Sequence, residues 1–352
     1  MRDVAVVGFT QRTMREFVGS PNCVELLVPM LGELWEQTGW TKSDIGFWCS
    51  GSSDYLAGRS FSFVTAIDAL GAVPPINESH VEMDAAWALY EAWLKIQTGE
   101  ADSALVYGFG KSSASPVRRT LALQLDPYTV TPLWPDTVSI AALQARLGLE
   151  QGAWSEKELA AVAARSRTSG ASNEYAVRGA ETSTDDVLAQ PMFSDPLRRW
   201  DCAPVTDGAA AMVICATDVP AYDTLKSKGP VITGFAHNTD ASSLGLRDLL
   251  RSPSAAAAAK AAGLGKVDIA ELHAPFSHQE LILRRELGLD DDTVINPSGG
   301  ALASNPMFSA GLIRIGEAAK RINSGEARSA VAHATSGPAL QQNLVCVLEG
   351  SN

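Results

Sequence analysis

The side chains of this sequence best able to do chemistry lie beside the ends of short apolar runs. His273 follows the run Ile269–Leu272, and His333 follows Ala330-Val-Ala332. Both runs read as buried strands, and in a parallel α/β unit ligands collect outside the carboxyl ends of strands. Asn305 precedes a helical pattern over Gly311–Ile322. Glu82 and Asp84 precede another over residues 84–97. An imidazole can move a proton near neutral pH or donate a hydrogen bond. An amide such as Asn305 can donate to an oxyanion but cannot shuttle a proton. A carboxylate that opens a buried helix either interacts with the helix dipole or acts as a base whose pKa burial raises. His273, Asn305, His333 and Glu82 are therefore the candidate catalytic residues, the alternative for each histidine being a satisfied core residue and for Asn305 a loop-fixing amide. The first three are expected to converge on one cavity beside the helix that begins near Asp84. His80 and His278 read as surface or loop residues.

The five cysteines are an odd number without CxxC spacing, and they read as small buried hydrophobes. No metal is expected. Neither GxGxxG nor a P-loop occurs, so no nucleotide-phosphate cradle is indicated.

The elements that must position these residues repeat. Val4-Ala-Val-Val-Gly-Phe9 matches Pro230-Val-Ile-Thr-Gly-Phe235, and Lys95–Val106 matches Arg321–Ala332 through Ile, Gly, Glu, Ala, Ser and Ala in order. Both pairs are displaced by 226 positions. A third pair, Lys42-Ser-Asp-Ile45 and Lys266-Val-Asp-Ile269, is displaced by 224. Three ordered matches at nearly one offset indicate a duplicated unit. In the first copy Ala85, Ala86, Leu89, Trp93 and Ile96 recur at helical spacing, Gly99 stops the helix, and Ser103–Tyr107 is a strand. Strand–helix–strand alternation predicts a mainly parallel sheet covered on both faces. Residues 1–115 with 199–225 form the first half and 226–352 the second. Residues 116–198, with Pro127, Pro132, Pro135 and a long polar helix near 155–172, form an inserted loop domain.

Composition narrows the partners. The 352 residues are 46% hydrophobic and 19% charged, as expected of a globular chain with a large core. A net charge of −12 without a basic stripe argues against nucleic acid and anionic membrane surfaces. No apolar stretch is long enough to span a bilayer, and the N-terminal run is too short for a signal peptide. Unpaired thiols suit a reducing cytoplasm.

Asn296-Pro-Ser-Gly-Gly300, the DGAAA run at Asp207–Ala211 and Glu271-Leu-His-Ala-Pro-Phe-Ser277 resemble motifs of the thiolase superfamily. The resemblance covers nearly the whole chain. It is strongest to the sterol-carrier-protein and lipid-transfer branch, which includes actinobacterial steroid side-chain degradation proteins. It implies a five-layer αβαβα fold of two pseudo-symmetric βαβαβαββ halves, usually dimeric. A family thiolase needs a cysteine at the start of the first-half central helix, where this sequence has Glu82 or Met83. The family's GHP histidine is replaced by Asn305, in Ser304-Asn-Pro306. The HDCF cysteine is replaced by Pro275, and the CxG position reads His333-Ala-Thr335.

The resemblance thus implies a thiolase-like subunit that handles acyl-CoA thioesters, steroid-CoA among them, without an acyl-enzyme. Coenzyme A enters as part of the substrate, and no cofactor is held tightly. The implied partners are a second copy, another thiolase-like chain, or an OB-fold acyl-CoA-binding protein. Two alternatives stand beside this. One is a retro-aldolase cleaving a β-hydroxyacyl-CoA, for which the absence of tyrosine after Tyr222 leaves His333 or Glu82 as the acid/base. The other is a carrier without turnover.

Overall fold

The computed structural model describes residues 2–14, 22–57, 60–71 and 76–350. The first half contributes β1 (Val4–Met14), β2 (Phe47–Gly51), β3 (Glu78–Val81) and β4 (Ser103–Lys111). A small ribbon of β5 (Met192–Ser194) and β6 (Leu197–Arg198) follows, and then β7 (Asp207–Ala216). The second half contributes β8 (Val231–Thr239), β9 (Ile269–Leu272), β10 (Val294–Ile295), β11 (Ser329–Ser336) and β12 (Gln342–Glu349). The large sheet runs β10-β9-β11-β12-β8-β1-β7-β4-β2-β3. From each outer edge inward, the two halves repeat one order and one pattern of parallel and antiparallel pairs.

The matched segments Val4–Phe9 and Pro230–Phe235 occupy equivalent central strands, as a duplicated unit requires. The two are also neighbours. No motif signals that the halves share a sheet, yet β1 and β8 join through Ala5 opposite Val231 and through the Val6 N–H donating to Pro230 O at 2.9 Å. Each strand is the inner edge of its own half, and pairing there satisfies backbone groups that would otherwise be buried alone.

Strand alternation then builds the layers. In β4, Ala104 and Val106 face the molecular centre while Leu105 and Tyr107 face outward. In β11, Ala330, Ala332 and Ala334 face the centre while Val331 faces outward. The inner faces of both halves close on two helices, Ala85–Gln97 and Ala310–Asn323, in one continuous core. Outside lie Cys23–Thr38 on the first half, and Pro253–Ala261 with Ser277–Glu286 on the second. The result is helix, sheet, helix, sheet, helix, the five-layer α/β arrangement anticipated. Gly99 and Gly325, at φ 78° and 79°, end the two central helices at equivalent places.

The polar helix anticipated near 155–172 is Glu156–Gly170, opened by a Ser155–Glu158 capping box. Two histidines differ from expectation. His278 enters the helix directly after Pro275-Phe276 and is fully buried, with Nε2 2.9 Å from Gln144 Oε1. His80 lies within β3, half-buried, with Nδ1 2.9 Å from Ser50 Oγ on the neighbouring strand. Among the described residues no helix is long and apolar enough to cross a membrane.

Candidate functional site

Asp84 is the N-cap of the first central helix, and its Oδ1 accepts the Ala86 N–H at 2.9 Å. The same carboxylate accepts from Gly311 N at 2.9 Å and Leu312 N at 3.2 Å, at the start of the second central helix. One side chain therefore caps both helices where they meet. Gly311 is required here, because a Cβ would sit 2.6 Å from Asp84 Oδ1. Burial raises the Asp84 carboxyl above its ordinary range, and the three N–H donors and the Arg314 charge oppose that rise.

His273 stands just past β9 and Asn305 just past the short helix Gly300–Ala303. His273 Nε2 is 2.9 Å from Asn305 Oδ1, and the Thr335 N–H points at Nδ1 from 3.4 Å. That pairing puts the ring proton on Nε2, donated to Asn305, and leaves the Asn305 amide nitrogen for the cavity. Burial lowers the His273 pKa to about 4, so the ring is neutral at pH 7.

The NPSGG segment holds this pair in place. Asn296 Oδ1 accepts the Leu272 N–H at 2.6 Å, and Asn296 Nδ2 donates to Glu280 Oε2 at 2.9 Å. Ser298 donates to Glu271 through N at 2.9 Å and Oγ at 2.7 Å, and the buried Arg314 pairs with Glu271 at 3.0 Å. Gly299, at φ 94°, passes so close to Gly170 and Ala303 that a Cβ would sit 2.8 and 2.6 Å from them. The motif works as scaffold, fixing the end of β9 that carries His273.

His273, Asn305, Glu82, Met83 and Asp84 line one cavity of about 630 Å³. His333 is not among its lining residues. It is fully buried behind β11, with Nε2 2.9 Å from Asn343 Oδ1 and Nδ1 without a partner among the described residues. Burial lowers its pKa to about 3. The anticipated convergence therefore brings together His273 and Asn305, beside Glu82 and Asp84, and leaves His333 outside. The reason is strand parity: His333 shares the outward face of Val331, away from the central helices. Glu82 is open to the cavity, its side chain 56% exposed and its carboxylate 3.4 Å from His80 Nε2.

Other cavity residues carried no motif. Cys202 lines the wall, but burial pushes its thiol up to about 12, so it is not a thiolate. Tyr55 brings a hydroxyl. Arg118, Arg178 and Arg199 bring positive charge. Arg178 donates to the carbonyls of Cys202 at 2.7 Å and Arg199 at 3.3 Å, and makes no ion pair among the described residues. Burial, with the Arg199 charge, lowers its pKa to about 10. Leu121, Leu125, Ile140, Phe276 and Leu340 supply an apolar wall. The arginines and the wall come largely from the inserted region, whose sequence offered only composition.

No family model matches the chain. It is 26% identical over 350 residues to an acetyl-CoA acetyltransferase of Methanocaldococcus jannaschii, across 90% of this chain and 89% of that one. It is 27% identical over 317 residues to sterol carrier protein 2 of Bos taurus, across 76% of this chain. The human mitochondrial 3-ketoacyl-CoA thiolase superposes with a TM-score of 0.79 over 99% of both chains at 17% identity, a likeness of fold. The chain is similar in sequence to thiolase-superfamily proteins and shares the thiolase fold. It spans 58% of the length of the bovine sterol carrier protein, so that relative has a further segment outside the match. Where the superfamily resemblance places a nucleophilic cysteine, Glu82 and Met83 stand at the cavity wall.

Proposed function

We propose that this protein binds an acyl-CoA thioester with a bulky acyl group in the 630 Å³ cavity and handles it without an acyl-cysteine intermediate. The observation that carries the reading is one cavity with an amide donor, an apolar wall and three arginines in a chain of net charge −12. The amide of Asn305 suits a thioester carbonyl, the wall an acyl group, and the arginines the phosphates of coenzyme A. Coenzyme A is then part of the ligand and not a resident cofactor. The acyl group we favour is a lipid or steroid acid in side-chain catabolism, in the cytoplasm. The working form we favour is a complex with a catalytic thiolase-like chain or an OB-fold acyl-CoA-binding protein. Co-purification from the native host, followed by assay with and without the recovered partner, tests the assembly. Isothermal titration with coenzyme A and with bulky acyl-CoA tests the ligand.

A second reading is favoured by Glu82, an open carboxylate on the same cavity as Asn305. In a retro-aldol cleavage of a β-hydroxyacyl-CoA, Glu82 takes the hydroxyl proton and the Cα–Cβ bond breaks as the carbonyl product forms. The electron pair enters the thioester enolate, whose oxygen Asn305 holds, and Glu82 returns the proton to Cα. Carbonyl product released by the isolated chain, and lost in Glu82→Gln, supports this reading over the subunit one.

A further inference from the structure

The turn between β11 and β12 has unusual backbone. Ala339 and Leu340 are consecutive non-glycine residues with left-handed φ of 52° and 59°, and Gly337 precedes them at 74°. Side chains disfavour that region, so such a turn persists only where its surroundings over-determine it. Two side chains do so here. Arg247 donates through Nη1 to Pro338 O at 3.0 Å and through Nη2 to Ala339 O. Asn343 Nδ2 donates to Leu340 O at 2.8 Å, and the Asn343 carbonyl accepts from His333 Nε2 at 2.9 Å. His333, outside the cavity, thus orients the amide that holds the turn.

The held turn forms a wall of the cavity. Residues Ser336–Leu340 all line it, and Ala339 packs in one buried apolar cluster with Ala122, Leu125 and Ile140. The wall is clamped on both sides, so it cannot retreat from a larger ligand as a loose loop would. Its smallest side chain on the apolar side is the Ala339 methyl.

We propose that the turn Gly337–Leu340 is the gauge of the cavity, with Ala339 and Ile140, its neighbour in the same wall cluster, setting the bulk of acyl group accepted. Arg247 is the positioning residue that holds the gauge. The inference rests on the acyl-CoA reading above and deepens it. Filling the wall at Ala339 shortens the apolar space, and trimming Ile140 lengthens it. Hydrophobic pockets discriminate mainly by such steric limits.

The test is isothermal titration of the whole chain with acetyl-CoA, octanoyl-CoA and cholyl-CoA, with thermal melts as the check on folding. In Ala339→Phe the ratio of the cholyl-CoA to the acetyl-CoA Kd rises about tenfold or more. In Ile140→Ala the same ratio falls, which keeps the test decisive if the phenylalanine variant does not fold. Arg247→Met shifts the ratio by about threefold or more, whereas a merely structural arginine would weaken all three ligands alike. A ratio unchanged in the folded variants overturns the gauge and leaves the acyl-CoA reading standing. A wild-type protein that binds none of the three overturns the acyl-CoA reading, and the gauge with it.

Discussion

Asp84 and Gly311 are joined by a 2.9 Å hydrogen bond across 227 residues of sequence, from the carboxylate that starts one central helix to the backbone that starts the other. The duplicated halves meet at this bond, and the candidate site opens beside it. The positive ends of two helix dipoles converge there, and a buried carboxylate from within the chain neutralises them. An active-site thiolate would depend on those same helix ends. In this protein they are already occupied.

The first prediction concerns that carboxylate. Asp84→Ala leaves three buried N–H groups without an acceptor and is expected to cost about 3 kcal/mol or more of stability. Asp84→Asn, which keeps one acceptor oxygen, should lose less. Urea denaturation of the three proteins measures the order. Equal stability of Asp84→Ala and the wild type would mean that the double cap does not hold the halves together.

Acid should destabilise the fold through its buried histidines. Burial lowers His273 to about 4, and His278 and His333 to about 3, against 6.5 for a free imidazole. Between pH 6.5 and 4 the unfolded chain therefore binds protons that the folded chain does not. Stability falls as pH falls through that window, by roughly 3 kcal/mol per histidine at its lower end. Asp84, Asp201 and Glu271, whose carboxyls burial raises, act in the opposite sense near its acid end. The comparison that isolates the histidine effect is His278→Gln, which should flatten the dependence of urea stability on pH. An unchanged slope would show that His278 does not contribute in this way.

The two candidate histidines should separate functionally. Asn305→Ala removes the amide donor aimed at the cavity, and under the lyase reading turnover should drop by about two orders of magnitude. His273→Ala leaves Asn305 in place but unoriented and should cost less. His333→Gln should lower the melting temperature, and its effect on ligands should appear only in discrimination between acyl groups. Steady-state rates and melts on the same preparations test this. A His333 variant that loses turnover while keeping its stability would return that residue to the reacting centre.

Arg178 has no carboxylate partner among the described residues and is the cation we expect to meet phosphate. Arg178→Ala should weaken coenzyme A binding by about tenfold, with a shallower dependence on salt than the wild type shows. Titration at two ionic strengths provides the check, and an unchanged affinity would remove phosphate contact from its role.

Much of this is legible in the chain because the residues that carry it are short-range signals. Gly99 and Gly325 mark equivalent helix ends, and the apolar runs around Ser103–Tyr107 and Ala330–Ala332 mark equivalent strands. The position of His273 beside Asn305 follows from which element each one ends. His333 shows the limit. One residue of strand parity decides which face of β11 a side chain takes, and the run Ala330-Val-Ala332 is apolar on both faces, so no alternation reveals it. Arg178 and Cys202 reach the cavity through loops, and Tyr55 through the single-turn helix Asp54–Ala57, all too short or irregular for periodicity to link sequence to direction. His278 departs from its surface reading because a polar-looking helix start, Ser-His-Gln-Glu, is buried against Gln144 and Trp154.

The central claim is non-covalent acyl-CoA binding in the cavity, and intact-mass measurement of one incubated sample tests it most directly. The protein is mixed with cholyl-CoA and divided between native and denaturing spectra. The account predicts a one-to-one complex in the native spectrum and the unmodified chain in the denaturing one. An acyl adduct on a cysteine would contradict it, and so would a native spectrum without the complex.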